Sequence, residues 1–238
     1  MRRVKVSSVS LPLGIRSPSG GASPGLRRAF PGKLGCVVFL GVFFLGLGPI
    51  PGVASQDRPD ALVLYRQGQY QRAVEITLQE LEENAANLDA YTVLGWSLLA
   101  LNRYDEALQY GERGLRVSRF DNRIIHIVGD AHFRKGNHSA ALQHLQNYVA
   151  LAPEGRQLPH VYYMMGEIFL NFGEYNHADI ALTQAVLLAA DRAPWWARLG
   201  YAREQAGSKE GALQAYQAAL ERAPALPEAL QGVERLQG

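Results

Sequence analysis

Six histidines and one cysteine are the groups in this 238-residue chain best suited to ligate a metal or to act as base and nucleophile. Cys36 stands alone, so an internal disulfide or a cysteine-based metal site has no second thiol. His138 and His144 are six residues apart on one predicted helix, which at 3.6 residues per turn sends them to different faces. The sequence therefore predicts no metal site. Nor does it contain a Gly-x-Ser-x-Gly elbow, a phosphate loop or a His-Glu-x-x-His pair. No residue set supports catalysis, and neither cofactor nor enzyme activity is expected.

Charge excludes a second class of function. Residues 1–55 carry seven Lys and Arg and no acid, so from residue 56 onward 17 Lys and Arg face 22 Asp and Glu, a net of −5. Nucleic-acid binding requires a basic surface to displace counterions, and an acidic body argues against it.

The basic segment has the parts of an export signal. Residues 1–33 are rich in Ser, Pro, Gly and Arg; Leu34 to Ile50 is uncharged and apolar; Pro49, Pro51 and then Val53-Ala54-Ser55 follow. Basic flank, apolar run, helix breakers and small residues are the order of a secretory signal, with cleavage expected after Ser55. The alternative is an uncleaved tether across residues 34–54, near the length a membrane span needs. Either reading places the remainder outside the cytoplasm, in the periplasm or cell envelope, because the basic flank stays inside.

Beyond the leader the chain repeats itself. A Gly-x-Tyr-x-x-Ala signal recurs around Gly68/Ala73, Asn102/Ala107, Gly136/Ala141, Gly173/Ala178 and Gly207/Ala212, with alanine spacings of 34, 34, 37 and 34. Twelve residues before each of the last four alanines stands a glycine (Gly95, Gly129, Gly166, Gly200), each preceded by Leu94, Val128, Met165 or Leu199. Small beside large at fixed helix positions lets two helices approach closely. Asn87, Asp121, Pro159 and Pro194 are residue types that cap or preset a first helical turn.

On these residues the chain resembles the tetratricopeptide repeat (TPR), most fully through Trp196, Leu199, Gly200, Ala212, Tyr216 and Pro224. The resemblance implies an all-α, right-handed α-solenoid of about five helix-turn-helix repeats. Expected boundaries are 56–87, 88–121, 122–155, 159–192 and 193–226, with a capping helix in 227–238 whose Leu230, Val233 and Leu236 face inward. His132 takes the repeat's usual Tyr position and is expected to be a packed, hydrogen-bonded aromatic substitute. Gly111 and Gly114 fall inside a helix of repeat 2, where close packing against repeat 3 is expected, a hinge being the alternative. The 37-residue step puts three extra residues in 153–159, either a longer loop or a feature that alters the superhelical turn or adds a contact point.

The resemblance further implies a groove lined by the first helix of each pair. Its positions carry Tyr65 and Arg66 in repeat 1, Trp96 in repeat 2, and Arg123, His126, Phe133 and Arg134 in repeat 3. Repeat 4 adds Tyr163 and Glu167, repeat 5 adds Tyr201, and Asp130 and His160 also stand at groove positions. Aromatic residues and arginine dominate binding hot spots, so the expected partner is another protein, offering an extended segment or a helix. Arg58, Leu62 and Val93 replace the Lys, Asn and Asn of the family's carboxylate clamp, which disfavours chaperone-tail binding. A small or apolar ligand, in an accessory of a transport system, is the alternative; it would require a closed apolar pocket.

Overall fold

The computed structural model describes residues 59–238. The leader, its apolar run, Cys36, the tether and Arg58 lie outside the described residues. Within them the chain forms eleven helices and no strand. They are α1 (Ala61–Arg66), α2 (Tyr70–Glu83), α3 (Leu88–Ala100), α4 (Tyr104–Val117), α5 (Asn122–Arg134), α6 (His138–Leu151), α7 (Leu158–Phe172), α8 (Tyr175–Leu188), α9 (Ala193–Gln205), α10 (Lys209–Arg222) and α11 (Pro227–Gln237). Among the described residues no helix is long and apolar enough to cross a membrane.

Side chains start and stop these helices as the residue types dictate. Asp60, Asn87 and Asp121 each accept two backbone N–H groups of the following first turn, satisfying donors that have no partner within the helix. Pro159, Pro194 and Pro227 sit in first turns, where a missing N–H costs nothing. Each first helix ends in one left-handed residue: Gly68, Gly136, Gly173 and Gly207 at φ between 73° and 83°, and Asn102 at 58°. That single reversal folds the second helix back onto the first.

Consecutive helices pack pairwise, and α1, α3, α5 and α7 also touch in succession, so each pair stacks on the next. In repeats 4 and 5 the first-helix glycine admits a large side chain of its own second helix. A Cβ on Gly166 would lie 2.5 Å from Leu182, and one on Gly200 2.6 Å from Tyr216. Repeat 2 solves the same problem differently. Gly111 stands four residues after Ala107, where Leu145, Leu182 and Tyr216 stand after their own alanines. Repeat 3 fills the vacated space: Val128 reaches over Gly111, Ile127 over Gly95 and Ile124 over Gly114. The glycines inside α4 are thus contact points for α5.

The cap departs from expectation at one residue. Leu230 is 48% exposed, whereas Ala229 and Gly232 are buried and Val233 and Leu236 pack on the final core cluster. The inward stripe runs through residues 229, 232, 233 and 236, the spacing of one helical face, and Leu230 lies about 100° off it.

Candidate functional site

The successive first helices leave an open cavity of about 480 Å³ between repeats 1 and 4. Tyr65 and Arg66 of α1, Trp96 and Leu99 of α3, and His126, Asp130 and Arg134 of α5 line it, with His160 of α7. The preceding inter-repeat segment adds Arg156 and Gln157 to its lining. Seven of the twelve groove positions named from the sequence (Tyr65, Arg66, Trp96, His126, Asp130, Arg134 and His160) meet in this one space.

Its walls combine flat aromatic surface with cationic groups. Tyr65 and Trp96 face each other with ring centres 5.7 Å apart, and burial raises the Tyr65 hydroxyl above its ordinary range, keeping it neutral. Arg66 and Arg156 are exposed at the rim. Arg134, also exposed, donates Nε–H to Asp130 Oδ1 at 2.7 Å, which holds its guanidinium firmly protonated. His126 is only 5% exposed, and burial pushes its pKa down to about 4; Asp130 opposes that shift, and His160 and Arg134 add to it. Burial lowers His160 as well, so both imidazoles are neutral at pH 7.

The remaining expected residues lie elsewhere. Arg123 lines a neighbouring cavity with Asp60, Asp89 and Trp96, but its guanidinium is committed to Asp121 at 2.8 Å and to Asp89 at 2.6 Å, tying α5 to α3. Phe133 lines neither cavity; it packs half-buried against the core between α5 and α7 and faces His138 at 6.3 Å. Tyr163, Glu167 and Tyr201 form a second surface on repeats 4 and 5. Tyr163 stacks on Trp195 at 4.8 Å, Glu167 accepts two hydrogen bonds from Arg198 at 2.6 and 2.8 Å, and Arg198 lies over the Tyr201 ring.

The histidines divide by role. His132 stacks on His144 at 5.7 Å, with the Asn137 side-chain amide 3.4 Å from its Nδ1, in keeping with a packed aromatic substitute. His126 and His160 instead join Asp130, and one ligand atom from each lies within 4.8 Å of the others. Spacing along a single helix does not reveal this grouping, which joins two adjacent repeats. The signal was present in the repeat register, because His126, Asp130 and His160 all occupy groove positions of adjacent first helices.

A helical-repeat solenoid with an aromatic and cationic inner surface is the class of protein that fold and site define. Residues 163–227 match the tetratricopeptide-repeat family, and residues 60–114 match the family described as anaphase-promoting complex, cyclosome, subunit 3. A TPR repeat-containing protein of Methanocaldococcus jannaschii, MJ1428, is 27% identical over 112 residues, covering 47% of this chain and 19% of that relative's length. Among solved structures, MamA aligns with a TM-score of 0.60 at 20% identity over 69% of this chain and 88% of its own. YrrB, a TPR protein with an unusual peptide-binding site, aligns at 0.62 with 20% identity over 73% and 88%. The Cut9–Hcn1 structure of the APC/C aligns at 0.64 with 18% identity over 75% of this chain and 35% of that one. The chain thus has the TPR solenoid fold.

Proposed function

We propose that this protein is an exported, non-catalytic scaffold of the cell envelope that holds an extended segment of another protein against its first helices. The carrying observation is the cavity between repeats 1 and 4, where Tyr65 and Trp96 offer stacking surface and Arg66, Arg134 and Arg156 offer positive charge. Such walls suit a segment presenting an apolar or aromatic anchor beside a carboxylate. Flat rings give contact area at little entropic cost, and exposed guanidinium groups steer and orient an acidic group. A small apolar ligand would be better served by a closed, uncharged pocket. The peptide-binding site of YrrB lies on the same kind of fold, which supports the reading by analogy alone.

A photo-crosslinking residue in place of Ala100, exposed on the cavity wall, should capture one discrete partner in intact cells, and adding Arg66→Glu and Arg156→Glu to that protein should abolish capture. Both arginines are exposed, so these changes leave the core intact. Unchanged capture by the doubly reversed protein would remove the cavity from the binding surface. The leader of residues 1–55 is the basis for export; recovery of the protein solely from cytosol on fractionation would refute that part.

A further inference from the structure

We infer that His126, Asp130 and His160 form a binding site for a divalent transition-metal ion of the zinc class, with at least one coordination position open to the groove.

Four residues separate His126 from Asp130 on α5, which puts the imidazole and the carboxylate one above the other on a single helix face. His160, in the first turn of α7, closes the set from the adjacent repeat, with ligand atoms all within 4.8 Å. Zinc bonds to imidazole nitrogen at about 2.0–2.1 Å, which places neighbouring ligand atoms roughly 3.3 Å apart. Small side-chain rotations close that difference.

The second observation concerns His126 itself. Its side chain is 5% exposed and lines the cavity, yet neither ring nitrogen has a hydrogen-bond partner. Buried polar groups in folded proteins are nearly always paired, and an imidazole with both nitrogens unpaired is a costly thing to keep in a core. A metal bond would satisfy one of the two nitrogens. Tyr148 and His160 hold the ring on two sides, with ring centres 5.7 and 6.3 Å away. Tyr148 is in turn covered by the inter-repeat segment, where its hydroxyl accepts from Gln157 N–H at 3.4 Å. The inter-repeat segment thus braces the site as well as lining it.

The donor set selects the ion. Two neutral imidazoles and one carboxylate suit zinc, cobalt or nickel; magnesium and calcium demand oxygen ligands throughout. Three protein ligands leave a tetrahedral ion one free position, where a water or a carboxylate of the groove's occupant would sit. Arg134 opposes the ion. Its guanidinium occupies Oδ1 of Asp130 at 2.7 Å and approaches Oδ2 only at 3.5 Å, so the ion must compete with an exposed and movable cation. Neutralising Arg134 should therefore tighten metal binding, the opposite of its effect on an acidic segment.

The test uses the full-length protein stripped with a chelator and titrated calorimetrically with zinc chloride, without any partner, so its outcome is separate from that of the scaffold reading. One ion per chain is expected, with a rise in Tm. His160→Gln and Asp130→Asn should each weaken binding at least tenfold and abolish the rise. Arg134→Gln should tighten it several-fold, and His132→Gln with His144→Gln should leave it unchanged. Cobalt should give the intense visible bands of a four-coordinate site, lost in His160→Gln. His160 is half-buried in a first helical turn, so that variant keeps the fold, checked by circular dichroism. No binding to the wild type, binding retained in His160→Gln, or binding lost with His132 and His144 would each overturn the assignment.

Discussion

Val128 occupies the space that a side chain at position 111 would need: a Cβ on Gly111 would lie 2.5 Å from Val128 Cγ2. Gly111→Ala gains about 1 kcal/mol of helix propensity and would be stabilising on an exposed helix. Here overpacking dominates, at about 1–3 kcal/mol, because Val128 is 1% exposed and has nowhere to go. Urea denaturation should show Gly111→Ala less stable than wild type, and Val128→Ala should recover part of the loss in the double variant.

The solenoid's end is held by a second close relationship, between Glu204 of α9 and Arg235 of α11. The carboxylate accepts from Arg235 Nε at 2.9 Å, from Arg235 Nη2 at 2.9 Å and from the Tyr216 hydroxyl at 2.6 Å. These bonds, Arg235 foremost, hold the Glu204 carboxyl below its ordinary range although burial works against them. A depressed carboxyl pKa contributes stability that is complete above the unfolded value, near 4.5, and is lost as pH falls through the folded one. The cap should therefore loosen in acid. Amides of residues 227–237, followed by NMR, should shift toward unfolded positions below about pH 4.5, and in Glu204→Gln they should be loosened already at neutral pH.

Much of this architecture is legible in sequence because stacking imposes a period on residue type. Gly166 and Gly200 recur where Leu182 and Tyr216 must enter, and Asn87 and Asp121 stand where backbone N–H groups need an acceptor. What escaped is what depends on two elements at once. Close packing of Gly111 against repeat 3 is legible, but that Val128 is the side chain entering there is not. Leu230 reads as core until Gly232 is seen to abut the ring of Tyr216, where even a Cβ would overlap. The groove was half legible: register assigns residues to the inner face, but it does not say that Asp89 and Asp121 engage Arg123 or that Phe133 turns into the core. The His126–Asp130–His160 grouping spans two repeats, so no scan along one helix finds it.

Asn102 marks a turn where sequence and conformation are nearly at odds. It adopts φ 58° where the other four repeats use glycine, and its Oδ1 accepts a hydrogen bond from the Tyr104 hydroxyl at 2.6 Å. Asparagine tolerates the left-handed region better than other residues with a Cβ, whereas alanine pays about 1–2 kcal/mol there. Asn102→Ala should lower stability by about that amount. Asn102→Gly relieves the backbone but gives up the hydrogen bond, so it should remain within about 0.5 kcal/mol of wild type. Thermal denaturation of the two variants separates backbone strain from the side-chain bond, since loss of the bond alone would make them equal.

The two aromatic surfaces distinguish an extended occupant from a compact one. Trp96 lines the cavity between repeats 1 and 4, while Tyr163, stacked on Trp195, belongs to the surface that Glu167, Arg198 and Tyr201 continue onto repeat 5. An extended segment running along the first helices touches both, and truncating either ring removes contact area worth about 1–2 kcal/mol or more at a hot spot. Tyr163→Ala should therefore weaken partner binding about tenfold, as should Trp96→Ala, with the double variant weaker than either. Trp96 also packs on the core of repeats 1 and 2, so its variant should lose stability, whereas Tyr163, half-buried beside Trp195, should lose less. Surface plasmon resonance with the crosslinked partner, paired with circular dichroism, reads both effects. A partner indifferent to Tyr163 but lost with Trp96 would be one that ends within the cavity of repeats 1 to 4.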